Sequence, residues 1–425
     1  MNRLKLSLLA LIASLSVSTL GASIDIIQNY SAEYGGNPAQ QGAINIGTSV
    51  YFNPAGLMRL ENGTYLVGGI QYAFGDQNMN SNGRDFSTDL SSPIPNFALY
   101  KKTDDSAYFW TIGGAAGGAS LHYKDSIPLP NIKPGVNFND LLTNTSVKGT
   151  NMYAQTTIGK AYNLTDKWSA SVALRGVYGI RNLKADTTLT KNLPPFLKAG
   201  NASIDAERTA FGIGAQLGLN YAPNDRLNVG FRYDTKVKLD FETKSTINDS
   251  TKGNGIPVLG IPGLSVSDAL LGLYPVYKDG EKTRRDLPAL AALGASYKVT
   301  DKWTTFIGGN YYFNESATMD RLDGMNVDYE NGWEVSVGSE YWINDRFAWL
   351  VGFNYADTGA PDESFAATEY ALDSKLVGTG IKFKQNETTE WTVAYNHYFY
   401  DSRTVENIKY EKEISSVGIN FVKKF

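Results

Sequence analysis

Side chains able to do covalent or metal chemistry are scarce in this chain. It carries two histidines, His122 and His397, and no cysteine, so disulfides, thiolate metal sites and imidazole clusters lack raw material. A hydrolytic Ser–His or Asp–His pair would need a histidine in a recognisable motif, and neither sits in one. The glycine run "GGAAGG" (113–118) lacks the Lys-Ser/Thr that a phosphate-cradling loop needs. A net charge of −4 and a pI near 5.5 leave no footprint for nucleic acid. No enzymatic activity, cofactor or metal is expected. What remains are two guanidiniums that strand alternation sends to one face. Arg175 in "KWSASVALRGVYG" opposes Trp168, Ala170, Val172 and Leu174, and Arg232 in "RLNVGFRYD" opposes Leu227, Val229, Phe231 and Tyr233. A sequestered guanidinium suits either of two tasks. It can hold an anionic head group, or it can pair with acids on the same face such as Glu334 and Glu340.

The elements that position these residues read as strands. The chain has 42 Gly, 26 Tyr and 19 Phe in 425 residues, an aromatic load that suits the two interfacial girdles of a membrane β-barrel. At the N-terminus "MNRLK" supplies a positive segment, "LSLLALIASLSVSTL" an apolar core and "GAS" small residues. Residues 1–22 are therefore an export signal with cleavage near Gly21–Ala22. No later run of 18 apolar residues occurs, so a membrane location requires a closed sheet.

Four segments repeat one pattern: "YNLTDKW", "YAPNDRL", "YKVTDKW" and "YWINDRF" each place Thr or Asn, Asp and a cation before renewed alternation. Thr/Asn-Asp-Lys/Arg is tight-turn chemistry, because these side chains bond the nearby backbone. "LYKKTDDSAYFW" and "FKQNETTEW" bring the short turns to six, which implies fourteen strands. Long connections are expected at about 75–91, 119–146, 182–202, 244–286, 315–327, 358–372 and 401–412. Short turns on one side and long loops on the other match the bacterial outer-membrane layout. His122 then falls in a long loop, and His397 on the lipid-facing parity of strand thirteen. The last strand, "SSVGINFVKKF", puts Val417, Ile419, Phe421 and terminal Phe425 on one parity.

Ahead of the first strand stands "VYFNPAGLMRL" (50–60). Its proline has no amide to give a ladder and its glycine permits a sharp reversal. An earlier "GGNPAQQG" (35–42) reads as a plain turn. With the turn series, the strand start "LPALAALGASYKVTDKW" (287–303) and the terminal Phe, this stretch resembles the FadL family of outer-membrane transporters for long-chain fatty acids and related hydrophobic compounds. The resemblance covers the whole mature chain. It implies an all-β fold, a 14-stranded antiparallel transmembrane β-barrel (63–425) with an N-terminal lumenal hatch (23–62) containing Asn53, Pro54, Ala55 and Gly56. It implies uptake by passive diffusion in the outer membrane of a Gram-negative-type bacterium, with barrel-assembly machinery reading the strand that ends at Phe425. A monomer is expected.

The resemblance also suggests where cargo passes. Loop 244–286 contains "GIPVLGIPGLSVSDALLGLYPVY", in which Ser265 can cap a helix carrying Val266, Ala269, Leu270 and Leu273 on one face. With Ile261 and Leu264 these form an apolar capture groove shared with loop 119–146. Gly113, Gly114, Gly117 and Gly118 mark a bend in strand three, read as a lateral gate. Arg175 and Arg232 are the head-group candidates. A general diffusion porin is the competing reading, and steady large conductance in planar bilayers would favour it.

Overall fold

A computed structural model describes residues 31–425 apart from 130, 134–135, 191–192, 194, 196, 254–262 and 264. The export signal and the groove candidates Ile261 and Leu264 lie outside the described residues. Each of the six expected short-turn segments forms a short turn. At two of them Thr165 Oγ1 accepts the Lys167 and Trp168 amides, and Asn224 Oδ1 accepts those of Arg226 and Leu227. The strands between are β1 (Gly63–Ser81), β2 (Arg84–Lys102), β3 (Ser106–Tyr123), β4 (Leu142–Asn163), β5 (Trp168–Leu189) and β6 (Gly200–Tyr221). β7 is carried by Leu227–Asp234 and Asp240–Asp249, and β8 by Lys282–Arg284 and Ala289–Lys298. β9 (Trp303–Phe313), β10 (Gly332–Trp342), β11 (Phe347–Asp357), β12 (Ser374–Asn386), β13 (Thr389–Tyr400) and β14 (Ile408–Lys424) complete the wall. Neighbours are antiparallel, and β1 closes on β14 from Tyr65↔Lys424 to Ser81↔Ile408, giving a closed 14-stranded barrel.

Alternation sets the two faces as expected. Leu174, Ile213 and Ile158 point outward, 64–67% exposed, while Arg175, Asn220 and Thr157 on the other parity are buried. A wall with apolar side chains outside and polar ones inside is stable only against hydrocarbon. Among the described residues no helix is long and apolar enough to cross a membrane.

Two of the expected long connections are absent. β1 and β2 continue through 75–91 and meet at a two-residue turn, Asn82-Gly83, both at positive φ (52° and 77°). Likewise 401–412 is mostly strand, turning at Glu406-Asn407 with φ 49° and 67°. The reason is a reversal of polarity along the strand. Beyond the hydrocarbon the outward face meets water, so Asp85 and Ser87 are exposed while Phe86, Thr88 and Leu90 are buried in the lumen. His122 likewise lies on β3 rather than in a loop, facing outward and bonded to Ser146 across the ladder. His397 faces outward on β13 as expected and bonds Ser415.

Residues 31–62 fold inside the barrel as α1 (Ala32–Gly36), α2 (Ser49–Phe52) and a 3-10 turn at Pro54–Arg59. This irregular backbone joins no ladder and bonds lumen side chains instead. Asn53 Nδ2 donates to Asn220 Oδ1 at 2.6 Å, and Ser169 Oγ to the Ala55 carbonyl at 2.7 Å. Asn228 and Ser296 both donate to the Gly42 carbonyl, and Glu33 accepts from Thr392 and Asn420. The Asn53 side chain also accepts the Gly56 amide, which closes the corner set by Pro54. The earlier Asn-Pro-Ala is a turn too, with Asn37 Oδ1 accepting the Ala39 amide, but it is wedged against the wall. A Cβ on Gly338 of β10 would stand 1.8 Å from Asn37 Oδ1, and one on Gly352 of β11 2.5 Å from Pro38 Cδ. Those wall glycines are seats for the plug.

A Gly338→Val substitution should therefore leave the barrel folded, judged by heat-modifiable electrophoretic mobility, yet unseat the plug. Bilayer conductance should rise and residues 31–62 should become open to protease. Unchanged conductance and protection would count against this seating.

Candidate functional site

At the long-loop end, α3 (Val266–Leu273) forms where the sequence places it. Ser265 Oγ accepts the Asp268 amide and Asp268 accepts that of Ser265, a reciprocal cap. Asp249 and Thr251 at the end of β7 take the Ser267 and Val266 amides and fasten the helix start to the wall. Val266, Leu270 and Leu273 then line an apolar cavity, facing Ile127, Leu129 and Phe138 from the connection after β3. The structure thus brings together the two loops that the sequence paired.

The cavity floor rests on an ionic layer that the sequence reading missed. Arg181 on β5 and Arg208 on β6 are register partners, two like charges opposite one another on the lumen face. That arrangement is unfavourable unless acids reach in. Asp320, from the β9–β10 connection, pairs with Arg208 at 2.7 Å, and Glu369, from the β11–β12 connection, pairs with Arg181 and with Arg285 at 2.7 Å. Tyr277, a cavity-lining residue, stacks 5.9 Å from the Arg208 guanidinium. Burial opposes the charge on Asp320, but the Arg181, Arg208 and Arg285 guanidiniums outweigh it and hold its carboxyl below the ordinary range. A signal did exist: Arg181 shares the parity of Arg175 six residues earlier.

Arg175 and Arg232 both face the lumen. They converge on Asp234 at 3.6 and 3.5 Å, with Arg175 also donating to Gln155 and Arg232 to the Tyr51 carbonyl of the plug. The pairing acids are not the expected ones. Glu334 instead accepts from Asn310, Tyr312 and Asn354, and Glu340 pairs with Lys382 at 2.8 Å. Asp234 wins because it lies two residues from Arg232 on the same face of the same strand, and β6–β7 register brings it beside Gln216.

The wall itself is discontinuous at β3. β2 pairs with β3 only from Phe97↔Ile112 to Lys102↔Ala107, although β2 stays paired with β1 along its length. From Gly113 onward β3 follows β4 alone, with register shifts between Gly114 and Ala116 and between Gly117 and Ser120. Gly117 adopts φ +98°, and a Cβ there would stand 2.5 Å from the Asn151 carbonyl. Gly113, Gly114, Gly117 and Gly118 thus all fall where β3 parts from β2. Pro93 and Pro95 lie on the edge of β2 that this leaves bare, where a missing amide costs no ladder bond. Higher up, the His122 amide donates to Thr88 Oγ1 at 3.0 Å and draws the strands together again. A slot results, with Leu90, Ile94 and Leu121 on its inner side. The arrangement offers an apolar cavity at the mouth and a stretch of β3 that β2 does not pair.

Replacing Asp320 by Asn leaves buried guanidiniums short of a charge partner, a change that typically costs about 3–5 kcal/mol. The cost should appear locally, as faster amide exchange in 314–331 with the barrel intact. Because the Asp320 carboxyl is held low, its contribution is full above the ordinary carboxylate value near pH ~4 and fades as pH falls below it. Protection of that segment, referred to the intrinsic exchange rate at each pH, should therefore fall on acidification in the native protein and stay level in Asp320→Asn.

The outer membrane protein transport protein family (OMPP1/FadL/TodX) matches residues 12–421. No curated protein matches the chain. Among solved structures, a Pseudomonas aeruginosa FadL homologue superposes with TM-score 0.69 at 14% identity, covering 94% of this chain and 99% of that one. The Pseudomonas putida toluene transporter TodX gives 0.65 at 16% identity, covering 97% and 100%. The CymD monoaromatic hydrocarbon channel gives 0.59 at 13%, covering 92% and 98%. At such identities these likenesses speak to the fold, and the family match spans nearly the whole chain. The protein therefore belongs to the OMPP1/FadL/TodX family and is an outer-membrane β-barrel transporter of hydrophobic compounds.

Proposed function

We propose that the protein takes up long-chain fatty acids or similar hydrophobic molecules by passive diffusion, in three stages. Cargo is captured in the extracellular cavity beside Val266, Leu270 and Leu273. It passes the ionic layer into the lumen above the hatch, residues 23–62, and leaves sideways through the slot between β2 and β3. The observation that carries the reading is the apolar cavity at the mouth of a bore that residues 31–62 fill. An exposed apolar site above a closed bore suits a greasy solute rather than ions or sugars. Lateral release also suits the solute, since hydrocarbon is its favoured phase and the periplasm is not. A gradient of affinities suffices to drive the passage. Arg175 and Arg232, drawn onto Asp234 and the Tyr51 carbonyl, serve to steady the hatch next to that path.

Two substitutions separate the stages. Leu270→Asp should weaken capture of a labelled fatty acid by cells about tenfold, the order expected for desolvating a charge in an apolar groove. Gly113→Val with Gly114→Val should leave capture intact and abolish uptake. Undiminished uptake by the double variant would sink the lateral exit, and undiminished capture by Leu270→Asp would sink the groove.

A further inference from the structure

The outward face of the wall is apolar where it meets hydrocarbon, yet below the slot two ammonium groups interrupt it. The β2–β3 ladder ends at Phe97↔Ile112. The next outward row toward the short turns joins Leu99, Trp110 and, on β4, Ile158, all three exposed and apolar. The row after that joins Lys101, Tyr108 and Lys160. Tyr108 is 55% exposed, and the Lys160 Nζ lies 5.0 Å from the centre of its ring.

Outward lysines near the other rim carry their own acids: Lys184 pairs with Asp205 at 3.0 Å and Lys375 with Asp401 at 3.0 Å. Among the described residues Lys101 and Lys160 form no such pair. Of the acids at their end, Asp104 is bonded by Asn62 and Glu61 by Lys424. The level of the row is fixed by its neighbours. Tyr162 stands two residues nearer the short turn than Lys160, and Trp168 stacks on Tyr221 at 4.4 Å along the same rim. The two lysines thus sit where the aromatic girdle gives way to hydrocarbon, the depth at which lipid phosphates begin. An ammonium on that face is tolerated when its stem lies along apolar surface and its head meets an anion at the boundary.

We propose that Lys101 and Lys160, on either side of Tyr108, bind the phosphate of an anionic phospholipid in the leaflet next to the periplasm. Charge complementarity sets the class. Two ammoniums with no acid in their row suit a phosphodiester whose head is otherwise neutral, whereas a choline or ethanolamine head would bring a third cation to the same place. Leu99, Trp110 and Ile158 in the row above receive the acyl chains. From Lys101 to Phe97, where the ladder ends, is four residues, about 13 Å at ~3.3 Å per residue. Half of a hydrocarbon core of ~30 Å is about 15 Å, so the chains of a lipid held here reach the lower end of the slot. The binding stands apart from the uptake reading and involves no covalent step.

The test uses the full-length protein in detergent micelles and two lipids with identical chains, dioleoylphosphatidylglycerol and dioleoylphosphatidylcholine, with retention read by native mass spectrometry. Wild type should hold its first phosphatidylglycerol at least about fivefold more tightly than its first phosphatidylcholine. Lys101→Gln with Lys160→Gln should bring the two within about twofold, through loss of phosphatidylglycerol, and Lys101→Arg with Lys160→Arg should keep the preference. Lys184→Gln with Lys375→Gln, which removes the same charge at the opposite rim, should keep it as well. Each variant is first checked for heat-modifiable mobility. A wild type without the preference overturns the site, and so does a Lys101→Gln, Lys160→Gln variant that retains it. Equal loss in the Lys184→Gln, Lys375→Gln variant also overturns it, because the preference then follows total charge rather than this row.

Discussion

A stretch of irregular chain can lie inside a barrel only if its amides and carbonyls find partners that no ladder provides. The plug meets that demand with wall side chains, Asn220, Ser169, Asn228 and Ser296 among them. It comes close enough to do so because several inward wall positions carry no side chain. Gly230 of β7, Gly294 of β8, Gly338 of β10 and Gly352 of β11 each face plug atoms at a range that a Cβ would invade. Many glycines in these strands thus answer to the plug rather than to strand bending. With the bore filled in this way, the cavity above and the slot beside it become the openings that matter.

The charges of the lumen are arranged in layers along the same axis. Around the plug, Asp234 gathers Arg175 and Arg232, and Glu340 meets Lys382. Nearer the mouth, Asp320 and Glu369 descend from two separate loops onto three wall arginines. Those loops are therefore held by buried electrostatics, which fix geometry more than they add stability. Beside the upper layer lies a tyrosine-rich apolar zone, in which Lys412 donates to the carbonyl of Tyr370, the neighbour of Glu369.

Much of this was legible in the sequence because it depends on neighbours in the chain. The Thr/Asn-Asp-Lys/Arg turns are set by side chains that bond amides two or three residues on, so six turns and a strand count followed from spelling alone. Parity placed Arg175, Arg232 and His397 on their observed faces, and the Ser265 cap with its helix appeared in place. The segments 75–91 and 401–412 were misread because their apolar residues move from the outer to the inner face once the strand leaves hydrocarbon. Asn82-Gly83 carried a recognisable hairpin signature even so. The glycine seats, the Asp234 pairing and the Arg181–Arg208–Arg285 layer were hidden for another reason. Each joins residues whose meeting depends on barrel register and loop trajectory, and neither is written locally.

The carboxylate of Glu33, in α1, is bonded by Asn420 on the closing strand, 387 residues away in sequence. The same acid accepts from Thr392 on the strand before it. Asn420 must be made and exported before that pair can form. Separations of this order belong to slowly maturing topologies. The stopper's bond to the final seam is thus the contact that spans almost the whole length of the wall.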